Sequence, residues 1–254
     1  MAIWIGTSGW TYPHWQKAFF PDNLPSAERL HFYAKHFNSV EVNTTFYGTP
    51  KRSTVLAWHE AVPSGFRFAI KASRFITHNK KLLHPRKSSI KLFRAIEPIA
   101  EQVAAVLFQL PPWFGADADR LRKFLAKMPS DYRYAFEFRH DSWFCDEIYD
   151  VLHKAKAALC FWELKGKFSP LEITDGFVYV RLHGPQTHAY RGSYPSQTLH
   201  RWKQRVQKWR QNRKDVLFYF DNDEKGYAPH DALRLSKSLS ISIEKNCHNI
   251  EKMI

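Results

Sequence analysis

The stretch Ala104–Arg139, AAVLFQLPPWFGADADRLRKFLAKMPSDYRYAFEFR, contains the pattern that decides the fold. It begins with an apolar run, Ala104–Gln109, and ends with a second one, Tyr134–Arg139, and both are typical of strands buried on two faces. Between them, four apolar residues recur at the helical spacing i, i+3, i+4, i+7: Leu121, Phe124, Leu125 and Met128. A strand, an amphipathic helix and a second strand predict two parallel strands joined by a right-handed crossover.

Similar units occur along the whole chain. We predict eight strands: Ile3–Thr7, Ser39–Asn43, Arg67–Lys71, Ala104–Gln109, Tyr134–Arg139, Ala158–Glu163, Phe177–His183 and Val216–Asp221. Most are separated by helical patterns, so the predicted fold class is α/β, a TIM-type (β/α) barrel of about eight parallel strands. The 254 residues match the length of roughly 250 that one such barrel takes. We therefore predict a single domain over residues 1–254.

Several local features of the sequence predict where helices begin, end or are missing. The segment Leu164–Gly176 is short and contains Pro170, so the helix between strands six and seven is predicted to be short or missing. Pro98 should interrupt the helix before strand four. Four residues are predicted N-caps: Ser26, Ser53, Asp117 and Ser142. The tail Ser236–Ile254 is expected to start as helix eight and to fray at its end.

Composition limits the classes of function and compartment. The formal net charge of +14 attracts anions such as phosphates, nucleic acids and acidic metabolites. No apolar run of 18 residues occurs, and Met1–Thr7 is typical of a strand, so we expect a cytoplasmic protein without a membrane segment. The three cysteines contain no CxxC pair, which favours buried free thiols over zinc sites or disulfides.

Polar residues recur near the carboxyl ends of the predicted strands, where parallel barrels hold their active sites. The main ones are Glu41, Asn43, Lys71, Gln109, Glu137, Arg139, Arg181, His183 and Asp221–Asp223. Charges in core strands are costly unless they are paired or solvated, so we expect these side chains to converge on one mouth. The alternative is an ion-pair plug that fills the barrel.

Aromatic residues crowd the loops that follow these strands: Trp10, Tyr12, Trp15, Phe46, Tyr47, Trp113 and Trp143. Each of them alone is best explained as a cap on the core. Together they are also suited to form stacking walls for a sugar ring or a base. Both interpretations stay open from the sequence.

Motifs at these positions closely resemble the YecE-like family, also called domain of unknown function 72. They are Gly6–Trp10 with Tyr12 and Trp15, Val40–Tyr47, Gln109–Pro112, Glu137–His140 with Ser142 and Trp143, Arg181–Gly184, and Asn222 before Gly226–Ala228. The resemblance implies a TIM-type barrel of a bacterial, cytoplasmic protein and supplies no reaction. Where this chain has Asp221-Asn222, the family more often has two asparagines, so Asn222 is counted as a site residue and Asp221 is not.

The first functional hypothesis is a small anionic ligand, phosphorylated or sugar-like, bound at the mouth. Lys71, Arg139 and Arg181 would hold the anion, because guanidinium groups bind phosphate and carboxylate in a bidentate manner. The remaining predicted ligand-binding residues are Asn43, Tyr47, Gln109, Trp143 and Asn222. If the protein is an enzyme, Glu41, Glu137 and His183 are the predicted acid–base groups of a hydrolase or lyase. The sequence predicts no metal site, and its cofactors stay unknown.

The second hypothesis is nonspecific binding or processing of nucleic acid through an outer helix. The segment Ser196–Lys214 contains seven basic residues and no acidic one: Arg201, Lys203, Arg205, Lys208, Arg210, Arg213 and Lys214. An apolar stripe through Leu199, Trp202, Val206 and Trp209 should face the barrel. The basic face is then either an ordinary solvated surface or a phosphate-binding one.

Overall fold

Eight parallel strands form a nearly closed barrel in the structure, a computed structural model that describes residues 1–241. They are β1 Ile3–Thr7, β2 Ser39–Val42, β3 Arg67–Lys71, β4 Val103–Gln109, β5 Tyr134–Glu137, β6 Ala157–Leu164, β7 Phe177–Leu182 and β8 Asp215–Phe220. Hydrogen-bonded neighbours follow the order β1-β8-β7-β6-β5-β4-β3-β2. The predicted TIM-type barrel is confirmed, and the predicted strand ends differ by one or two residues at most.

Helices cover the outside of the barrel. They are α1 Arg29–Ala34, α2 Thr44–Tyr47, α3 Arg52–Glu60, α4 Pro85–Ile96, α5 Ala118–Leu125, α6 Asp146–Lys154, α7 Ser196–Gln211 and α8 Tyr227–Ser238. In α5, Leu121 and Phe124 are buried, as the helical spacing predicts. None of the helices in residues 1–241 has the length and apolar composition needed to cross a bilayer.

The predicted helix ends agree only in part with the structure. Helix α4 ends at Ile96, and Pro98 lies in the 3₁₀ turn that follows, as expected. Asp117 caps α5 by accepting a hydrogen bond from the Arg120 backbone N–H at 2.9 Å. The other three predicted caps are wrong, because Ser26, Ser53 and Ser142 lie within helical turns. Helix α8 begins at Tyr227 instead of Ser236, and most of the predicted tail lies outside the described residues.

No helix joins β6 to β7, as predicted. The chain instead forms a two-residue strand, Lys167–Phe168, which pairs antiparallel with the end of β6. Lys165 and Gly166 have φ angles of 54° and 72°, the left-handed conformations of a tight hairpin turn. The side chain of Thr174 then accepts the Leu159 N–H at 2.9 Å and donates to the carbonyl of Ala157 at 2.7 Å.

The cysteine prediction holds for one of three residues. Cys160 is buried in β6. Cys145 is exposed, because it lies at the N-cap of α6 and not in a core strand. Cys247 lies outside the described residues.

Side chains support the closure of the barrel between β1 and β2, where the backbone forms an isolated bridge between Ser8 and Glu41 and the Gly9 N–H donates to the Glu41 carbonyl at 2.8 Å. The Asn38 side chain accepts from the Ile5 N–H at 3.0 Å and donates to the Ile3 carbonyl at 2.8 Å. The Tyr33 hydroxyl accepts from the Thr7 N–H at 2.8 Å. At Gly6, a Cβ atom would lie 2.0 Å from the Ser39 carbonyl oxygen, so only glycine fits this contact.

We expect Gly6→Ala to destabilise the fold by about 3 kcal/mol or more, because the added methyl group must push β1 from β2. The free energy of unfolding from urea titration is the measurement. Gly176→Ala is the matched control, since a Cβ there has no neighbour within 4 Å. Equal stability of the two variants would show that the contact between β1 and β2 at Gly6 has room for a Cβ atom.

Candidate functional site

Arg181 lies at the end of β7 and is fully buried among three carboxylates. Its Nε donates to Glu41 Oε2 at 2.9 Å, its Nη1 to Glu137 Oε2 at 2.6 Å and its Nη2 to Asp221 Oδ2 at 3.1 Å. Burial alone would lower the pKa of Arg181, but Glu137 and Glu41 hold it well above its ordinary value. The guanidinium therefore stays charged and fixes acidic groups from β2, β5 and the end of β8.

Arg139 forms a second layer on this network. Its Nε donates to Glu137 Oε1 at 2.5 Å, and its guanidinium lies 4.5 Å from the Trp162 ring centroid. Burial alone would raise the pKa of Glu137, but Arg139 and Arg181 hold it well below the ordinary range. Arg139 Nη1 is buried without a hydrogen-bond partner among the described residues.

His183 joins the two arginines to Asp221. Its Nδ1 lies 2.8 Å from Asp221 Oδ2, and its Nε2 lies 2.8 Å from Arg139 Nη2. Burial, Arg181 and Arg139 lower the pKa of His183 to about 4, so the ring is neutral at pH 7. Because Arg139 can only donate, Nε2 must be the acceptor and Nδ1 must carry the proton. Burial would raise the pKa of Asp221, but the hydrogen bond from His183 and the charge of Arg181 lower it.

A cavity of about 380 Å³ opens next to this network. Its wall includes Gly9–Tyr12, Asn43, Thr44, Tyr47, Lys71, Tyr190, Asp221 and Asp223. This wall also has unfinished polar bonding. Asn43 Oδ1 is buried without a partner among the described residues. Burial and the neighbouring Asp221 raise the pKa of Asp223 to about 6.

Lys71 is the basic residue of the cavity wall. Within residues 1–241 its Nζ forms no ion pair, and it lies 4.5 Å from the Phe46 ring centroid. Burial and the charge of Arg181 lower the pKa of Lys71 below its ordinary value. An anion that entered the cavity would remove part of this penalty.

The predicted site residues fall into three groups. Asn43, Tyr47 and Lys71 line the cavity. Glu41, Glu137, Arg139, Arg181 and His183 come together in the network and do not belong to the cavity wall. The remaining three residues, Gln109, Trp143 and Asn222, belong to neither.

Those three side chains are engaged elsewhere. Gln109 donates to the neighbouring carbonyl of Leu110. Trp143 is fully buried and stacks on Phe138 with ring centroids 4.5 Å apart, so it belongs to the core and not to a ligand wall. Asn222 Nδ2 donates to the Gly192 carbonyl and to Asp231, which fixes a loop. The structure therefore does not bring these residues to the cavity.

Several residues of the site were missed from the sequence. Asp221 was set aside because of the family pattern, yet it contacts both Arg181 and His183. With Asp221 the network has three carboxylates, which pair with Arg139, Arg181 and His183, and none of the three forms an ion pair with Lys71. Tyr179 donates to Glu41 Oε2 at 2.6 Å. It lies two residues before Arg181 on the same strand face, a spacing that could have revealed it.

A metal centre finds no support in the described residues. Residues 1–241 contain no group of three or more His, Cys, Asp or Glu side chains arranged to hold an ion. The acidic groups of the network are instead held by arginines.

Comparison with known proteins identifies the family. The family model described as "Protein of unknown function DUF72" matches residues 4–252. The chain belongs to this family. Its relatives include the UPF0759 proteins YecE of Escherichia coli K12 and YunF of Bacillus subtilis.

These relatives match over different lengths. YecE is 34% identical over 143 residues, which cover 56% of this chain and 50% of YecE. The match thus spans about half the length of YecE. YunF is 27% identical, with 94% of this chain and 95% of YunF covered.

Solved structures of DUF72 proteins share the barrel. A Thermotoga maritima member has a TM-score of 0.84 at 25% identity, covering 94% of this chain and all of its own. An Enterococcus faecalis member has a TM-score of 0.80 at 21% identity, covering 96% of this chain and 98% of its own. The second likeness concerns the fold alone.

We expect Glu137→Gln to destabilise this DUF72 protein by about 3–5 kcal/mol at pH 7, because it leaves two buried arginines short of a counter-charge. Since the folded pKa of Glu137 lies below its ordinary 4.5, its stabilising effect is present above that pH and is lost as pH falls. The difference between wild type and variant should therefore shrink below about pH 4.5.

Urea titrations from pH 3 to 8 measure this difference. Glu101→Gln is the control, because Glu101 is exposed. A difference that stays constant down to pH 3 would contradict the assignment of Glu137 as a charged partner of both arginines.

Proposed function

We propose that the mouth cavity of this DUF72 protein binds a small sugar-like ligand with one anionic group, such as a phosphate or carboxylate. The observation that carries the proposal is Lys71, a partly buried cation in the cavity wall without an ion-pair partner in residues 1–241. A partly buried ammonium group that no carboxylate of residues 1–241 contacts directly is costly, and an anionic ligand would supply that contact.

The proposal assigns the anion to Lys71 and not to all three predicted cations. Arg181 donates to three carboxylates, so none of its nitrogens is left to bind a ligand. Arg139 has one free donor, Nη1, but that atom is buried beside the network. Both arginines act on the ligand indirectly. Arg181 bonds to Asp221 and lowers the pKa of Lys71, and Arg139 bonds to His183, which in turn bonds to Asp221.

The rest of the wall suits a polyol. Asn43, Asp221 and Asp223 offer amide and carboxylate groups to hydroxyls, and Trp10, Tyr12 and Tyr190 offer aromatic faces. The volume of about 380 Å³ is in the range of pockets for small metabolites. This combination favours a sugar-like body over an apolar one.

If the protein is an enzyme, Asp223 is the best-placed acid–base group. Its pKa of about 6 lies close to neutral pH, where a group exchanges protons most effectively. Glu41, Glu137 and His183, the residues predicted for this role, are bonded within the network and do not line the cavity. We propose positioning roles for them in an acid–base reaction of hydrolase or lyase type.

We expect ribose 5-phosphate to raise the Tm of the wild-type protein, because a ligand that binds only the native state stabilises it. Lys71→Met should remove this shift, whereas Lys154→Met, at an exposed position, should keep it. Ribose and inorganic phosphate, tested separately, show which half of the ligand Lys71 recognises. An undiminished shift in Lys71→Met would contradict the anion assignment.

The rate at which the Lys71 amine is acetylated provides a second test of the proposal. Because its pKa is lowered, a larger fraction of neutral amine is present at pH 8, and acetic anhydride should label Lys71 faster than expected for an ordinary lysine. Bound anion restores the ammonium form and should slow the reaction. Mass spectrometry of peptides measures both rates, with Lys154 as internal reference. Labelling of Lys71 that no anion changes would contradict the proposal.

A second candidate function is nonspecific binding of duplex nucleic acid by α7. Its apolar stripe, Leu199, Trp202, Val206 and Trp209, is buried against the barrel, which leaves the basic face outward. None of its cations forms an ion pair within residues 1–241. Arg205 packs over Trp202 at 4.7 Å and is thus less free than Lys208, Arg210 and Arg213, which are exposed.

If α7 binds DNA, replacing Lys208, Arg210 and Arg213 by Gln should flatten the slope of log affinity against log salt by up to about three units. Lys71→Met should leave that slope unchanged, since a duplex does not fit into the mouth. Fluorescence anisotropy with a labelled duplex measures both. No binding at low salt would identify the basic face of α7 as an ordinary solvated surface.

A further inference from the structure

A second and larger cavity, of about 710 Å³, lies outside the site described above. Ser73, Phe75, Lys80, His84, Lys87 and Lys91 are in its wall, so it is formed mainly by the β3–α4 connection and by α4. Gly48 and Thr49 also line it, whereas Thr44 and Tyr47 line the mouth cavity. Helix α2 therefore lies between the two cavities.

The charge around this second cavity has one sign. Nine Lys or Arg residues and no acidic residue occur between Glu60 and Glu97. Lys80, Lys87 and Lys91 form no ion pair with any residue in 1–241. These basic residues are visible in the sequence, but they are spread over β3, the β3–α4 connection and α4. Those of α7, in contrast, form one compact run.

The backbone of the connection is unusual. A π-helical turn, Phe75–Asn79, is followed by Lys81, Leu82 and His84, all with left-handed φ angles of 45°, 65° and 52°. Such conformations cost about 1 kcal/mol or more each for residues other than glycine, and they concentrate at ligand sites. Leu82 is buried and anchors this connection to the core.

Aromatic rings extend from the second cavity along the rim of the barrel. Ring centroids are 5.2 Å apart for Tyr47–Phe46 and for Phe46–His78, and 5.8 Å apart for His78–Trp113. Tyr47, Trp113 and Phe75 are 83%, 63% and 49% exposed. Burial and Arg74 lower the pKa of His78 to about 4, so this ring is uncharged at neutral pH.

We propose that this surface binds single-stranded nucleic acid. One base enters the second cavity against Phe75, the backbone phosphates contact Lys80, Lys87 and Lys91, and neighbouring bases stack on Trp113 and Tyr47. A basic groove with exposed aromatic rings is the combination that single-strand-binding proteins use. Lys80 also lies 5.4 Å from the Phe75 ring centroid, which places a cation beside the stacking face.

Two other partners fit these observations less well. A duplex keeps its base faces stacked inside, so it cannot use the exposed rings. A membrane surface requires a protruding apolar face, whereas Phe75 and the lysines line a concave wall. The surface is also separate from α7, because β3 and β7 are four strands apart around the eight-stranded barrel and thus on opposite sides.

Fluorescence anisotropy with labelled dT12, a 12-base-pair duplex and anionic phosphatidylserine vesicles tests the proposal on the full chain. We expect dT12 to bind more tightly than the duplex at equal salt. Trp113→Ala and Phe75→Ala should each weaken dT12 binding by about 5- to 150-fold without changing the salt slope. Both side chains are exposed, so circular dichroism should show an unchanged fold.

A triple variant tests whether dT12 binds at this surface or is attracted only by the net positive charge of the protein. Replacing Lys80, Lys87 and Lys91 by Gln should flatten the salt slope for dT12 by up to about two units. Replacing Lys203, Lys208 and Arg210 of α7 by Gln removes the same charge on the opposite side and should change it little. The mouth proposal is tested with ribose 5-phosphate and this one with dT12, so failure of one is distinguishable from failure of the other.

Four results would overturn the inference. They are no binding of dT12 at low salt, equal losses in the two triple variants, full binding by Phe75→Ala and Trp113→Ala, and tighter binding to the duplex. Vesicle binding that depends on Phe75 and Trp113 while dT12 does not bind would assign the surface to a membrane instead.

Discussion

A guanidinium group buried inside a barrel needs counter-charges from several directions, and Arg181 obtains them from Glu41, Glu137 and Asp221. These residues come from strands that are distant in sequence and meet only when the barrel closes. Buried ion pairs stabilise folds poorly compared with apolar packing, because desolvation offsets most of the attraction. The network is therefore better explained by the precise placement it gives to the groups above it than by its contribution to stability.

The residues at the mouth form two layers, which differ in how far their polar groups already have hydrogen-bond or ion-pair partners. In the lower layer, the carboxylates and His183 are bonded to one another, to arginines and to Tyr179. These surroundings keep Glu137 and Asp221 charged and His183 neutral at pH 7. In the upper layer, Lys71, Asn43 and Asp223 border open space with unfinished bonding or with pKa values moved toward neutrality. Groups that can still gain a partner are the ones suited to bind a ligand, which is why we place the proposed chemistry in the upper layer.

The sequence predicted the barrel well because buried parallel strands are continuous apolar runs, and their carboxyl ends are marked by polar residues. It also identified Lys71, Asn43 and Tyr47, which line the cavity. It did not separate them from Glu41 and Glu137, because the period of a strand gives the face of a residue and not its depth in the barrel. Asp221 was missed because a family pattern was given more weight than its place at a strand end.

Other errors have equally local causes. Trp143 and Cys145 lie in a connection, where neither burial nor exposure follows from periodicity. The second cavity depends on left-handed backbone at Lys81, Leu82 and His84, residue types that give no sequence signal for it. Features formed by irregular backbone were thus the least predictable part of the molecule, although they carry the exposed rings of Phe75, Trp113 and Tyr190.

Neutron diffraction on a deuterated crystal at pH 7 tests the central claim, that arginines fix the charges below the cavity. We expect deuterium on His183 Nδ1 and none on its Nε2, with Glu137 and Asp221 both unprotonated. Deuterium on His183 Nε2, or on a carboxylate oxygen of Glu137 or Asp221, would contradict it.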